Sequence, residues 1–296
     1  MPRLRVRTLL LALALLAAGV PSARAAVVET AHLVVGDATG RLSPAQLEER
    51  AGQVQVLLDK LLAFWDADSR VDRFGKILVT YCDPGGDSEY AIFRWVKEGD
   101  RKVREVRVVS AGNEPQMLAH KLTCALYPSR DKLIRNMMGE ISEMRLGNPL
   151  TFPHCGLCAD AWVLALLRLG RCVPLRELGP EHASWGMGTS MNGVPFTRDQ
   201  DRHHRTYAEA GSFGNFLFTM YGREKLKELC RLTSDSARPW EATYGIGLDA
   251  LEAQWLEALR REEARLEPEI VLAAQLYQRD PAKACGEAQA RRGARP

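Results

Sequence analysis

Apolar positions recur along this chain at two spacings, and each spacing predicts one kind of element. Between residues 43 and 65 apolar side chains return every three or four positions, which predicts an amphipathic helix capped by Ser43. Residues 29–36, 76–82 and 103–110 are short apolar or alternating runs, which are typical of strands. We therefore expect the first hundred residues to form a small α/β layer.

Helical spacing dominates from about residue 113 onwards. Asn113 is expected to cap the first of these helices, with Gln116 at the reciprocal position of a capping box. The stretch 173–206 is predicted to be a long irregular connection, and 280–296 lacks an apolar period and is predicted to be mobile. Further helices are predicted at 131–146, 157–170, 207–221, 223–232 and 247–265.

The first 25 residues have the pattern of a secretory signal peptide. A basic start is followed by an apolar run from Leu9 to Val20 and by the A-x-A sequence of residues 23–25. The run is too short to span a bilayer, and no later apolar run is long enough. We predict cleavage after Ala25, no membrane span in the mature chain, and export to the periplasm of a bacterium.

Cleavage changes the charge of the protein. The whole chain has 40 Lys and Arg against 37 Asp and Glu, and four of the arginines lie in the leader. The mature chain therefore carries a net charge of about −1. This balance gives no reason to expect nucleic acid as a partner.

Seven cysteines lie in the predicted mature chain. An oxidising compartment favours pairing, and an odd number leaves at least one thiol unpaired. Cys155 and Cys158 have the spacing of a redox motif but no thioredoxin-like context, so a local disulfide or two buried thiols is favoured. The other pairings stay open. A redox or structural-metal role for the cysteines is one candidate function.

The segment MLAHKLTC places His120 and Cys124 four residues apart, on one face of a predicted helix. Imidazole and thiolate at this spacing can both ligate zinc. The alternative is a hydrogen-bonded histidine beside a small apolar thiol. On the next helix Glu140 borders the apolar stripe, and Glu143 is expected to lie farther toward water. Glu140 is therefore the preferred ligand or ion-pair partner.

Three further histidines are candidate ligands. His154, with Cys155 and Cys158, could extend a His/Cys metal site at His120 and Cys124. His203 and His204 lie among charged residues and are predicted to belong to a solvated loop.

The order of these segments resembles the peptidase-MA-like family of zinc metallopeptidases, a gluzincin group with a thermolysin-like catalytic domain. The similarity covers about residues 28–262, and it rests on four segments: MLAHKLTC, MGEISEMRLG, YAEAGSFGNFLFTMYG and YGIGLDALEAQWLEAL. The resemblance implies an α+β fold: a small N-terminal α/β lobe at 26–112, a mostly helical lobe at 113–265, and a C-terminal helix and mobile tail at 266–296.

Carried onto this chain, the family's first zinc ligand falls on His120, its second on Cys124 and its third on Glu140. The general base falls on Lys121, and an ammonium group cannot take a proton from water. We therefore expect an exported, non-hydrolytic pseudoenzyme that binds a polypeptide or envelope partner in the former cleft. The alternative is an active zinc metallopeptidase with a His/Cys/Glu metal site.

Overall fold

The structure is a computed structural model, and it describes residues 26–67, 71, 74–82, 90–109, 117–189, 195–233 and 238–293. The predicted signal peptide and the predicted cap residues Asn113 and Gln116 lie outside these ranges. At the start of the corresponding helix the cap position is Met117, which makes no side-chain capping bond.

One five-stranded sheet occupies the first part of the chain. Its strands lie in the order β1-β2-β3-β5-β4, with β2, β3 and β5 parallel and both outer strands antiparallel to their neighbours. The strands are β1 (Val27–Glu29), β2 (Leu33–Asp37), β3 (Ile77–Cys82), β4 (Tyr90–Glu98) and β5 (Arg101–Val109). The predicted strand 29–36 is thus two strands, and β4 was not predicted.

Helix α1 (Pro44–Trp65) begins where the apolar period predicts it. Ser43 accepts a hydrogen bond from Gln46 N while the Gln46 side chain accepts one from Ser43 N, which completes a capping box. Seven apolar residues from Leu47 to Trp65 are buried, and they join the buried face of the sheet in one core. This burial is the main stabilisation of the α/β layer.

The rest of the described chain is mainly helical. The helices are α2 (Leu118–Leu126), α3 (Lys132–Leu146), α4 (Ala159–Arg168), α5 (Gln200–Leu232), α6 (Trp240–Tyr244), α7 (Leu248–Arg279) and α8 (Ala284–Gly293). The protein is therefore an α+β protein, as predicted. No helix in the described ranges has the length and hydrophobicity needed to cross a membrane.

The predicted connection 173–206 is shorter and more ordered than expected. It contains 3-10 turns at Leu175–Glu177 and His182–Trp185 and a hairpin of β6 (Met187–Thr189) and β7 (Pro195–Thr197). Helix α5 then starts early, because Asp199 caps it by accepting from Arg202 N.

Gly222 interrupts α5 at the predicted break between two helices. Its φ of 81° is a left-handed conformation that glycine adopts without strain.

The C-terminal tail differs from the prediction. Residues Ala284–Gly293 form α8, Ala284 and Ala288 are fully buried, and Cys285 is disulfide-bonded to Cys155. The short alanine stripe carries too little apolar character to stand out in sequence, and the covalent bond fixes the helix against the chain preceding α4. Both alternatives for Cys155 and Cys158, a local disulfide and two buried thiols, were therefore wrong, and Cys158 is an exposed free thiol.

Candidate functional site

The candidate site lies where α2 packs against α3. Gly139 makes this approach possible, because a Cβ atom at this position would lie 2.5 Å from Cδ2 of His120. Beside it, Thr123 donates a 2.7 Å hydrogen bond to Ser142 Oγ, which also accepts from Trp65 Nε1 at 2.8 Å. The polar residues of α2 thus face a neighbouring helix.

Two histidines flank Glu140. His120 Nδ1 lies 2.8 Å from Glu140 Oε1, and His154 Nε2 lies 3.3 Å from Glu140 Oε2. His120 and Glu140 are fully buried, and His154 nearly so. None of these nitrogen and oxygen atoms has a hydrogen bond of good angular geometry, so the pairs are held by charge and proximity.

The surrounding charges set the protonation of the cluster. Burial opposes the charged forms of both His120 and Glu140, but nearby charges outweigh it. Cys124 and Glu140 raise the pKa of His120, and the imidazoles of His120 and His154 lower the pKa of Glu140. The structure thus favours an imidazolium next to a carboxylate at the centre of the cluster.

Cys124 completes the cluster from the same helix face as His120, as the four-residue spacing predicts. Burial alone would raise the pKa of the Cys124 thiol, but His120 and Lys121 lower it. An imidazole between a thiol and a carboxylate is the arrangement that activates a cysteine nucleophile. Cys124 is only 3 % exposed, however, so a substrate has no open path to its sulfur.

Lys121 is half-buried beside this cluster. Burial lowers the pKa of its amine, while Cys124 and Glu140 act in the opposite direction. Among the described residues no carboxylate oxygen lies within 4.0 Å of Lys121 Nζ. Lys121 therefore influences the cluster through space and forms no direct ion pair with the part of the chain that the structure describes.

Glu143 does not lie toward water, contrary to the prediction. It is buried, and its Oε2 accepts a 2.9 Å hydrogen bond from His120 N at the start of α2. Its Oε1 accepts from Thr151 Oγ1 at 3.1 Å and from Asn148 N at 3.2 Å. The prediction assumed one buried face for α3, whereas this helix is enclosed on nearly every side. Glu143 thus caps α2 from another helix.

The chemistry of His120, Cys124 and Glu140 suits zinc, but their positions do not. Their donor atoms do not all lie within 4.8 Å of one another, and each oxygen of Glu140 already faces an imidazole. As placed, these residues do not fit a zinc ion. Their role as metal ligands stays a prediction.

His203 and His204 are helical residues of α5, so the predicted solvated loop was wrong. His204 is buried, with Nδ1 at 2.8 Å from the Tyr277 hydroxyl and Nε2 at 2.8 Å from Pro153 O. Its ring contacts other aromatic rings. The Arg and Asp residues that neighbour it in sequence form an ion pair with each other and not with His204. Burial lowers its pKa to about 4, so the imidazole is neutral at pH 7.

A donor group also exists around His204. One of its ring nitrogens and the sulfurs of Cys155 and Cys285 lie within 4.8 Å of one another. The two sulfurs are bonded to each other, however, and both ring nitrogens have hydrogen-bond distances to protein oxygens. This group is therefore a structural junction between α5, α7 and α8.

The sequence did not predict two residues near the site, Tyr207 and Lys132. Tyr207 stacks on His120 with ring centroids 6.2 Å apart, and it also contacts Lys132, whose amine lies 5.7 Å from its ring centre. Lys132 is 2 % exposed. The only sequence signal for Lys132 was its place beside the apolar residues that begin α3.

Comparison of the chain with protein-family models, with curated proteins and with solved structures gave no match in any of the three. What the site can do therefore follows from its own geometry and charge.

Proposed function

We propose that this chain is an exported protein with a gluzincin-type, peptidase-MA-like fold that does not hydrolyse peptides and instead binds a polypeptide partner in the cell envelope. One observation carries the proposal: Lys121 stands at the position where the resemblance places the general base. A protonated amine has no lone pair with which to activate water. It also repels a divalent cation that would have to bind beside it.

The burial of the centre supports the same proposal. His120 and Glu140 have no exposed surface, and Cys124 is 3 % exposed. Hydrolysis requires the reacting carbonyl and a water to come within about 3 Å of the catalytic groups. In this arrangement neither can reach them.

An open strand edge supports the binding of a polypeptide. Strand β4 pairs only with β5 in the sheet, and within the described ranges no hydrogen bond reaches its outer edge. Trp95 on this strand is 43 % exposed, and its ring packs against Phe93 at 6.2 Å. Unpaired backbone groups with an exposed aromatic side chain are suited to receiving an extended chain as an added strand.

Charge indicates the kind of chain. The exposed charged residues of the β4–β5 hairpin are mainly basic: Arg94, Lys97, Arg101 and Lys102 against Glu98 and Asp100. An extended segment rich in Asp and Glu would complement this surface and be steered toward it. The proposed partner segment is therefore acidic.

An active zinc metallopeptidase is the second candidate. The observation in its favour is the set of buried donor atoms on His120, Glu140 and His154 that lack directed hydrogen bonds. Imidazole nitrogens and a carboxylate are common zinc ligands. This candidate requires the cluster to rearrange, because the donors do not converge as placed.

One experiment on purified mature protein tests both candidates. Metal content, hydrolysis of a mixed peptide library and the melting temperature with and without added zinc are measured. We expect no stoichiometric zinc, no hydrolysis and no zinc-dependent rise in melting temperature. Stoichiometric zinc together with hydrolysis that His120→Ala abolishes would establish the second candidate and overturn the first.

The proposed binding of an acidic polypeptide at β4 is tested on the same preparation with an extended acidic peptide. Fluorescence anisotropy should show binding that weakens at least five-fold in Trp95→Ser and Lys97→Glu. Val56→Ser is the matched control, because Val56 is 54 % exposed on α1, away from the strand edge. Equal affinity in all variants, or no binding at low salt, would contradict the role of β4.

A further inference from the structure

Lys132, the first residue of α3, is a buried amine that has no counter-ion in the described part of the chain. It is 2 % exposed, and among the described residues no carboxylate lies within 4.0 Å of its Nζ. The neighbouring carboxylate of Asp131 is already engaged: it caps α3 through Ile134 N and pairs with Arg238 at 2.5 Å. A lysine in such a place normally has a carboxylate partner or a function.

Aromatic and soft groups surround the amine. Lys132 Nζ lies 5.3 Å from the ring centre of Trp185 and 5.7 Å from that of Tyr207. Nδ1 of His182 is 3.3 Å away, and Sδ of Met187 is 2.7 Å away. These neighbours hold the amine in place, and they supply a nitrogen base without supplying a negative charge.

The electrostatics keep the amine neutral. Burial, with the positive charges of Arg135 and Lys121, lowers the pKa of Lys132 to about 6. Burial and the charge of Lys132 also lower the pKa of His182. At pH 7 most of the Lys132 amine therefore carries a free lone pair, which is what a nucleophilic lysine requires.

Met187 and Arg198 line an open cleft of about 790 Å³. Because Sδ of Met187 also lies 2.7 Å from Lys132 Nζ, Met187 connects the cleft to the buried amine. The carboxylates in the cleft wall are largely engaged elsewhere, since Asp201 pairs with Arg171 at 2.8 Å and Asp280 pairs with Lys283 at 3.1 Å. Arg198 is exposed and has no ion pair with any described residue. The cleft therefore offers a free guanidinium group for an anion.

We propose that Lys132 is a carbonyl-binding amine that forms an imine with a small 2-oxo acid entering from this cleft, and that Arg198 holds the carboxylate of the ligand. This site goes beyond the proposed polypeptide binding and does not depend on it. Met187, partly exposed and flexible, is the side chain that must move to admit the ligand.

The reaction balances without an added oxidant or reductant. The lone pair of Lys132 forms the C–N bond, and the carbonyl π electrons move to oxygen, which takes up a proton. The nitrogen loses its two protons in turn, and His182 accepts each one and passes it to the oxygen: the first gives the hydroxyl of the carbinolamine, and the second lets that hydroxyl leave as water while the C=N bond forms. The products are one imine and one water from one amine and one carbonyl.

Reductive trapping tests the proposal. The full mature protein is incubated at pH 7 with glyoxylate and sodium cyanoborohydride, which reduces the imine to a stable secondary amine, and the labelled lysines are mapped by mass spectrometry. We expect Lys132 to be labelled at least ten-fold faster than the exposed Lys97 and Lys102, because those amines are almost fully protonated at pH 7. Labelling of Lys132 no faster than that of Lys97 would overturn the proposal.

Variants test the roles of Arg198 and Lys132 separately. Arg198→Ala should slow labelling by glyoxylate at least five-fold and leave labelling by uncharged glycolaldehyde unchanged, since only the former has a carboxylate. Equal slowing of both reagents, or of neither, would overturn the assignment of Arg198. Lys132→Arg should lose the preferred label while circular dichroism and the melting temperature report that it folds. Retention of the preferred label in that variant would place the reactive amine elsewhere.

Discussion

Glu140 and Glu209 are both buried carboxyl groups, and their surroundings have opposite effects on them. Two imidazoles lie beside Glu140 and lower its pKa. Glu209 on α5 accepts one hydrogen bond from Val173 N at 2.9 Å, and its second oxygen has no partner among the described residues. Burial raises the pKa of Glu209 to about 8, so at pH 7 this side chain holds a proton.

Glu209 should therefore make the protein less stable as the pH rises. The unfolded chain releases this proton near pH 4.5, whereas the folded chain keeps it up to about pH 8. The free energy of unfolding is therefore highest below pH 4.5 and falls as the pH rises from 4.5 to about 8. Between pH 5 and pH 7.5 this group should lower the free energy of unfolding of the wild type by about 3 kcal/mol, and Glu209→Gln should not show that decrease. Urea unfolding of both proteins across this range measures the difference.

The comparison between the two proteins isolates Glu209 from other titrating groups. His204, for example, acts in the opposite direction, because its folded pKa of about 4 lies below that of an unfolded histidine. Parallel stability curves for wild type and Glu209→Gln would show that the carboxyl is already ionised at neutral pH.

At the scale of elements, the short helix α2 depends on a residue outside itself. Its cap position, Met117, makes no side-chain hydrogen bond, and Glu143 of α3 accepts the bond from His120 N instead. The start of a helix has unpaired N–H groups and a positive end, so a buried acceptor there contributes to stability. The geometry of α2, and with it the position of His120, is thus tied to α3.

Glu143→Ala should destabilise the protein by about 3 kcal/mol, because it leaves the buried N–H of His120 and that of Asn148 without acceptors. Glu143→Gln should cost about 1 kcal/mol, since its carbonyl oxygen can still accept one of these bonds. Guanidinium unfolding gives both values. Glu257→Ala, an exposed position on α7, is the control, and a loss no larger than that of the control would contradict the capping role.

The apolar period was sufficient to predict the elements that bury one clear face. Helix α1, helix α3 and strand β3 all follow it, while the Ser43 cap and the break at Gly222 were predicted from residue type. Strand β4 was not predicted, because exposed Arg, Lys and Glu residues hide its strand pattern. Its extended conformation depends on its pairing with β5 and not on its own sequence.

The candidate site was predicted only in part, for a physical reason. The spacing of His120 and Cys124 placed both on one face of α2, and Glu140, preferred from the sequence as a metal ligand or ion-pair partner, lies 2.8 Å from His120. Its role as a metal ligand stays a prediction. The position of Glu143 and the isolation of Lys132 depend on helices that arrive from distant parts of the chain. Contacts between distant parts of the chain produce no apolar pattern in the local sequence.

At the scale of the whole molecule, the bond between Cys155 and Cys285 joins residues 130 positions apart. A crosslink over so long a segment removes many conformations from the unfolded chain. The Cys155→Ser, Cys285→Ser double variant should therefore lose about 4 kcal/mol of stability, measured by urea unfolding.

Reductant supplies the complementary measurement. Dithiothreitol should destabilise the wild type and leave the double variant unchanged. Cys158→Ser is the matched control, because its thiol is free and exposed close to the bond. Destabilisation of that control by as much as the double variant would indicate a different pairing.

The same bond makes a covalent ring of the backbone from Cys155 to Cys285, which encloses α4, α5, α6 and α7. A protease that nicks this ring once does not release a fragment, because both new ends stay attached through the two sulfurs. Exposed to a protease, such a protein would stay in one piece after a first cut, and would come apart only when a second cut or a reductant followed.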